Sequence, residues 1–283
     1  MIVDYNADWF KIDFNLDPGY GCNRTDHGHD AGDGLYEHYS GLYRLMDAVR
    51  AKYPQVILEA CSSGGLRIDH ELLHHFDLTF LSDSDETAKK MGFYHHNLAI
   101  LPPEACLHWA WSETKAGDNR ARPFPAFTPW DPRFTPWQID THIRIGMLGA
   151  FGISHRLHLF DEKLKKVFTN HINFYKNTVR EFIRNGIVYR LAPTEFVQDI
   201  ELYAVQYSLK EQRRFLAFVF AKEEQQVVVK LKDLCLKNMY TIEIVDTAEH
   251  IVRSGKELTD SGLDLGSLRP WESRAVLGTI LLE

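Results

Sequence analysis

Apolar residues recur along the chain with two different periods, and the change falls near residue 186. In WFKIDFN, residues 9–15, Trp9, Phe10, Ile12 and Phe14 are interleaved with Lys11, Asp13 and Asn15. That alternation predicts a strand with aromatic and aliphatic side chains on one face and a lysine, a carboxylate and an amide on the other. A loop dense in Gly, Asp and His (17–34) follows. Leu35, Tyr39, Leu42, Tyr43, Met46 and Val49 then form the stripe of an amphipathic helix that Pro54 closes. VILEA (56–60) reads as a buried strand, a helix covers about 68–76, and LTFLSD (78–83) is another strand. The pattern predicts further helices at 85–97 and 136–149 and strands at 105–111 and 153–160. A long helix at 162–185 ends with Gly186 as its C′ residue.

Strands alternating with helices predict a parallel sheet with helical crossovers. From Ile187 the period is two, through LYAVQYSL, RRFLAFVFA, QQVVVKLKDL, YTIEIVD and RAVLGTILLE, with no helix expected between them. The expected architecture is α/β, with a catalytic domain at 1–186 and an antiparallel β-sandwich at 187–283. In a parallel α/β barrel the chemistry sits at the C-terminal strand ends. Three such ends carry reactive residues: Asp13, the run Cys61-Ser62-Ser63-Gly64-Gly65, and Ser82-Asp83.

Composition removes several function classes. A formal charge of −7 gives no footing for nucleic acid or an anionic membrane. No apolar run approaches the roughly 20 residues of a membrane span, and the first residues lack the pattern of a secretory signal. The four cysteines show no C-x-x-C pair, which argues against a disulfide framework or a cysteine zinc site and suits a reducing, cytoplasmic setting. In TDHGHDAGD (25–33), His27 and His29 lack a third ligand at a recognised spacing, so the stretch reads as a solvated loop rimming the active site. No metal and no cofactor are expected. The pairs His74-His75 and His95-His96 read as surface or interface residues.

Two carboxylates on one barrel face suit glycoside hydrolysis, in which a retaining pair lies about 5–5.5 Å apart. Lys11, two residues from Asp13, would favour the anion that a nucleophile must be, while burial and the charge of Asp13 would keep Asp83 protonated. Each residue also has a plainer reading: a strand face turned to water, and a helix cap in SDSDETAKK.

KIDFN, EACSSGGLRID and FLSDSDE resemble, in order and separation, three motifs of the α-galactosidases of glycoside hydrolase family 36. Asp13 and Asp83 are 70 positions apart and Cys61 lies 22 before Asp83. The resemblance implies strands four to eight of a (β/α)8 TIM barrel, an α-galactoside substrate, Asp13 as nucleophile and Asp83 as acid/base. It further implies that Lys11 and Asn15 bind sugar hydroxyls and that Cys61 and the Ser63-Gly64 turn lie against the sugar. Arg67 and Asp69 match an Arg-x-Asp element, read as an ion pair, and Asp85 is the rival acid. Ile12 stands where the family has tryptophan, and Ser63 and Leu66 stand where it has glycines. Trp109 and Trp111 are placed either to stack on a sugar or to fill the core. α-N-Acetylgalactosaminides as substrate, transfer to a sugar acceptor and non-catalytic carbohydrate binding stay open. Barrel strands one to three have no counterpart, so the chain is expected to be part of a longer enzyme, to show weak or no hydrolysis alone, and to self-associate or pair with an upstream segment.

Overall fold

The structure is a computed structural model that describes residues 2–16, 18–84, 86–111, 134–192 and 200–281. Its contacts fall into two compact units, Met1–Asp83 with Ala105–Leu107, and Ser84–Glu104 with His108–Glu283.

In the first unit the short α1 (Ile2–Tyr5) leads into β1 (Trp9–Asp13), α2 (Gly34–Lys52), β2 (Ile57–Cys61), α3 (His70–His75) and β3 (Leu78–Phe80). The strands run parallel: Lys11 lies beside Glu59, Asp13 beside Cys61, and Thr79 beside Ala60 and Cys106. Phe10 and Ile12 of β1 and Leu58 and Ala60 of β2 pack with Leu42, Met46 and Leu72 from the helices. Met46 and Leu58 are fully enclosed, each contributing roughly 1.5–3 kcal/mol. A one-residue slip of β1 would bury Lys11 and Asp13 in their place, so this core sets the register. Trp9 does not join the apolar face as expected. Period two puts it with Lys11 and Asp13, where its Nε1 donates to Glu59 Oε2 at 2.8 Å.

The second unit contains α4 (Thr87–Asn97), β4 (Cys106–Trp111, whose first two residues belong to the first unit), α5 (Pro136–Gly146) and β5 (Ala150–Ser154). Next come α6 (Glu162–Phe174), a π-helical turn (Tyr175–Val179) and α7 (Arg180–Asn185). β6 (Ile187–Ala192), β7 (Leu202–Ser208), β8 (Arg214–Ala221), β9 (Gln225–Val229), β10 (Met239–Ile244) and β11 (Glu249–Ser254) follow. α8 (Gly255–Asp260), β12 (Leu263–Leu268) and β13 (Glu272–Ile280) complete the described chain. The antiparallel strands form a six-stranded sheet, β11-β10-β13-β8-β7-β6, and a two-stranded one, β12-β9. Phe215, Ala217 and Val219 of β8 share a core with Val227, Val229, Leu263 and Leu268 of the small sheet. Leu216, Phe218 and Phe220 are equally buried on the opposite face, which is why β8 reads as an unbroken apolar run rather than an alternating one. The chain is therefore α/β, a parallel sheet followed by antiparallel ones.

Three local expectations are corrected. β5 spans Ala150–Ser154, and the alternation after it forms a short 3-10 turn, Leu157–Leu159, ahead of the α6 cap Asp161. Gly186 caps α7 in an extended conformation (φ −87°, ψ 150°), not a left-handed one. A side chain there would meet the Phe182 carbonyl oxygen at 2.5 Å, so close approach explains the glycine. A helix, α8, interrupts the strands; its Ser254 and Glu257 form a capping box, a signature present in the sequence.

Candidate active site

Parallel pairing of β1 with β2 builds one polar face from Lys11, Asp13, Glu59 and Cys61. Lys11 Nζ lies 3.4 Å from Glu59 Oε1 and 4.6 Å from the centre of the Phe80 ring. Burial works against the charged amine, but the Cys61 sulfur and the Glu59 and Asp13 carboxylates outweigh it and hold Lys11 above the ordinary lysine value. Sequence reasoning missed Glu59. Its signal was a lone carboxylate in the apolar run VILEA, which acquires a partner only once the register is known.

After β2 the chain turns through Ser63 (φ 44°) and Gly64 (φ 78°). The Ser62 hydroxyl donates to the Phe14 carbonyl. The Ser63 N–H and hydroxyl both reach Asn15 Oδ1, at 3.2 and 3.3 Å. Asn15 thus spends its oxygen on the turn and keeps its amide N–H groups for another acceptor. A Cβ on Gly64 would stand 2.8 Å from Ser82 Cα and 2.9 Å from Asp83 N, and one on Gly65 would stand 2.7 Å from the Leu81 carbonyl oxygen. The two glycines therefore let the turn lie directly against the backbone that carries Asp83.

Electrostatic coupling runs through the same group. Burial pushes the Cys61 thiol up to about 11; the Gly64 backbone and Lys11 oppose this, and Asp13, which accepts the thiol hydrogen, adds to it. The Asp83 carboxyl is raised first by burial and then by the negative charge of Asp13, with Lys11 opposing. Lys11, Asp13, Cys61 and Asp83 are thus brought together, with Asn15, Ser63 and Gly64 as the adjoining wall. Asp85 and the side chain of Trp111 lie outside the described residues. Trp109 packs against Gly152, where a Cβ would be 2.5 Å from its Cδ1.

Arg67 and Asp69 do not form the expected ion pair. Asp69 turns into the cap of α3, accepting from the Leu72 N–H at 2.6 Å. Arg67, nearly enclosed, donates to His38 Nε2 at 2.9 Å and the Leu16 carbonyl at 3.1 Å, with its guanidinium over Phe14. Burial and the Arg67 charge keep His38 below the ordinary histidine value. His95 is likewise no surface residue: it is buried, with Nε2 3.3 Å from the Ala204 carbonyl. A 760 Å³ open cavity is walled by Phe14, Leu16, Cys22 and His29 of the segment after β1, with His38 of α2 and Arg67 from beyond β2, rather than by the two carboxylates.

The melibiase family model matches residues 2–186, more than half of the chain. The chain belongs to the melibiase family. This melibiase-family chain is 26% identical over 151 residues to α-galactosidase AgaA of Geobacillus stearothermophilus, covering 53% of itself and 18% of that protein. It is 30% identical over 233 residues to a probable α-galactosidase C of Aspergillus terreus, covering 81% of itself and 28% of the relative. The GH36 α-galactosidase AgaA solved with raffinose superposes with a TM-score of 0.78 at 20% identity, over 96% of this chain and 35% of the other. The α-galactosidase of Lactobacillus brevis gives a TM-score of 0.81 at 19% identity, over all of this chain and 37% of its own. The melibiase-family chain thus spans between about a fifth and two fifths of the length of these relatives.

Proposed function

We propose that the chain carries the catalytic pair of a retaining α-galactosidase, with Asp13 as nucleophile and Asp83 as acid/base. The observation that carries this reading is the setting of the pair: the Gly64 turn lies directly against the backbone of Asp83, and burial and the charge of Asp13 bias Asp83 toward its protonated form. In the first step Asp13 attacks the anomeric carbon, the glycosidic bond breaks, and Asp83 gives its proton to the departing oxygen. In the second, Asp83 takes a proton from water, the oxygen of that water attacks the anomeric carbon, and the Asp13 ester bond breaks. Lys11 and the Asn15 amide would hold sugar hydroxyls, with Cys61 and the Ser63-Gly64 turn packed against the ring. The substrate class, terminal α-galactosides, rests on family membership and on the raffinose bound by AgaA. In the same reading the parallel sheet is part of a (β/α)8 barrel within a 1–186 domain, and 187–283 is a sandwich domain.

The test is covalent trapping. A galactose-configured epoxide inactivator of α-retaining enzymes is expected to label Asp13 in the peptide holding residues 9–15, as read by mass spectrometry. Labelling at another residue overturns the assignment.

Gly64→Ala tests how the acid is placed. A methyl group 2.8 Å from Ser82 Cα, on a residue with φ 78°, must displace the segment beyond β3 that bears Asp83. Hydrolysis is expected to fall about 10²-fold, the usual loss for a displacement near 1 Å. The comparison is kcat/KM of the two proteins, with circular dichroism confirming the fold.

A further inference from the structure

The loop between β1 and α2 holds a second cluster that the proposed hydrolysis does not use. The sequence shows His27 and His29 without a third ligand, and the fold supplies one from Cys22. A Cβ on Gly34 would collide with the Cys22 backbone, and one on Gly21 with that of Leu35, so glycines let the two ends of this loop close on each other. One donor atom from each of Cys22, His27 and His29 then lies within 4.8 Å of the other two. Cys22 Sγ is 3.4 Å from His27 Nε2. Sulfur and nitrogen ligands on one tetrahedral Zn²⁺ stand roughly 3.5 Å apart, given Zn–S of about 2.3 Å and Zn–N of about 2.0–2.1 Å.

The surroundings prepare the nitrogens for this role. His27 Nδ1 lies 3.0 Å from Asp26 Oδ1, and His29 Nδ1 lies 2.9 Å from the Asp30 carbonyl oxygen. A carboxylate and a carbonyl can only accept, so both Nδ1 atoms carry hydrogen and donate. Each Nε2 then carries a lone pair, and that of His27 meets the Cys22 sulfur, the hydrogen-bonded contact that a shared cation would replace. Asp26 is itself held by a bidentate Arg24, at 2.9 and 2.5 Å. The result is a carboxylate–histidine arrangement of the kind that orients metal-binding imidazoles. The Arg24 backbone N–H donates to Cys22 Sγ at 3.4 Å and so helps to fix the position of the sulfur.

We propose that Cys22, His27 and His29 form a Zn²⁺ site, with the fourth position open toward the cavity that all three residues line. The ion ties the loop into one conformation and so shapes the cavity wall.

The test uses the tag-free full chain, stripped with chelator, reloaded with Zn²⁺ and dialysed. Mass spectrometry for metal content is expected to give one ion per chain. Competition with a chromophoric chelator should show at least tenfold weaker binding for Cys22→Ser and for His27→Gln. Asp26→Asn should weaken binding about 10–100-fold, as loss of an outer-shell partner does. Co²⁺ substitution should give a thiolate-to-metal charge-transfer band that Cys22→Ser loses and Cys235→Ser retains. Substoichiometric zinc, equal affinity across the variants, or a band surviving Cys22→Ser overturns the proposal. If Cys22→Ser fails to fold, His27→Gln, whose ring is exposed, decides.

Discussion

Asp13→Asn is expected to lower hydrolysis of an aryl α-galactoside by about 10⁴-fold or more, with the fold unchanged. The amide keeps the size of the carboxylate, so the core that sets the β1 register, built from Phe10, Ile12, Leu58 and Ala60, is untouched. What is lost is the oxygen anion that forms the glycosyl ester, a loss for which positioning cannot compensate. The check is kcat/KM for the substituted protein against the parent, with azide added to an Asp13→Gly variant. Azide attacking from the vacated side should yield the β-galactosyl azide. An Asp13→Asn protein with undiminished activity would remove Asp13 from the mechanism.

Asp83→Ala is expected to lower the rate by roughly 10²–10⁴-fold for substrates whose leaving group needs a proton, the ordinary worth of a general acid. Substrates with an acidic phenol as leaving group should lose much less in the bond-breaking step. The pH profile carries the same assignment. Because burial and Asp13 raise Asp83, its acid form persists to higher pH than that of an ordinary aspartate, and activity should fall as pH rises through that raised value. Lys11 opposes the rise, so removing its charge should move the basic limb to higher pH. Lys11→Met alone would strand the buried Glu59 carboxylate, so the pair is best removed together as Lys11→Met with Glu59→Gln. The pH dependence of kcat/KM for this double variant is the measurement, and a limb that stays put or moves down would detach Asp83 from the acid role.

Several parts of the candidate site are legible in the sequence. The alternation in WFKIDFN places Lys11, Asp13 and Asn15 on one strand face, since side-chain parity along a strand is local. The order of three strand ends follows from periodicity alone. For Trp9, hydrophobicity and parity point to opposite faces, and parity wins; a hydrogen bond to buried Glu59 makes the polar face its place. For Arg67 and Asp69, proximity in sequence suggests a contact that the fold does not make. The backbone at Asp69 (φ −152°, ψ 173°) commits that carboxylate to the α3 cap, and Arg67 turns instead to His38 and Leu16.

By itself the sequence determined the α/β class, the change from helical crossovers to antiparallel strands, and which residue types stand at each strand end. Those properties depend on neighbours within a few positions, where hydrophobic period and turn chemistry act. Only the tertiary structure decided that Lys11 meets Glu59, that Gly64 lies against Asp83, and that Cys22 joins His27 and His29. Each of these depends on strand register or on a loop closing through glycines. Such distances come from packing across the chain and carry no periodic mark within it.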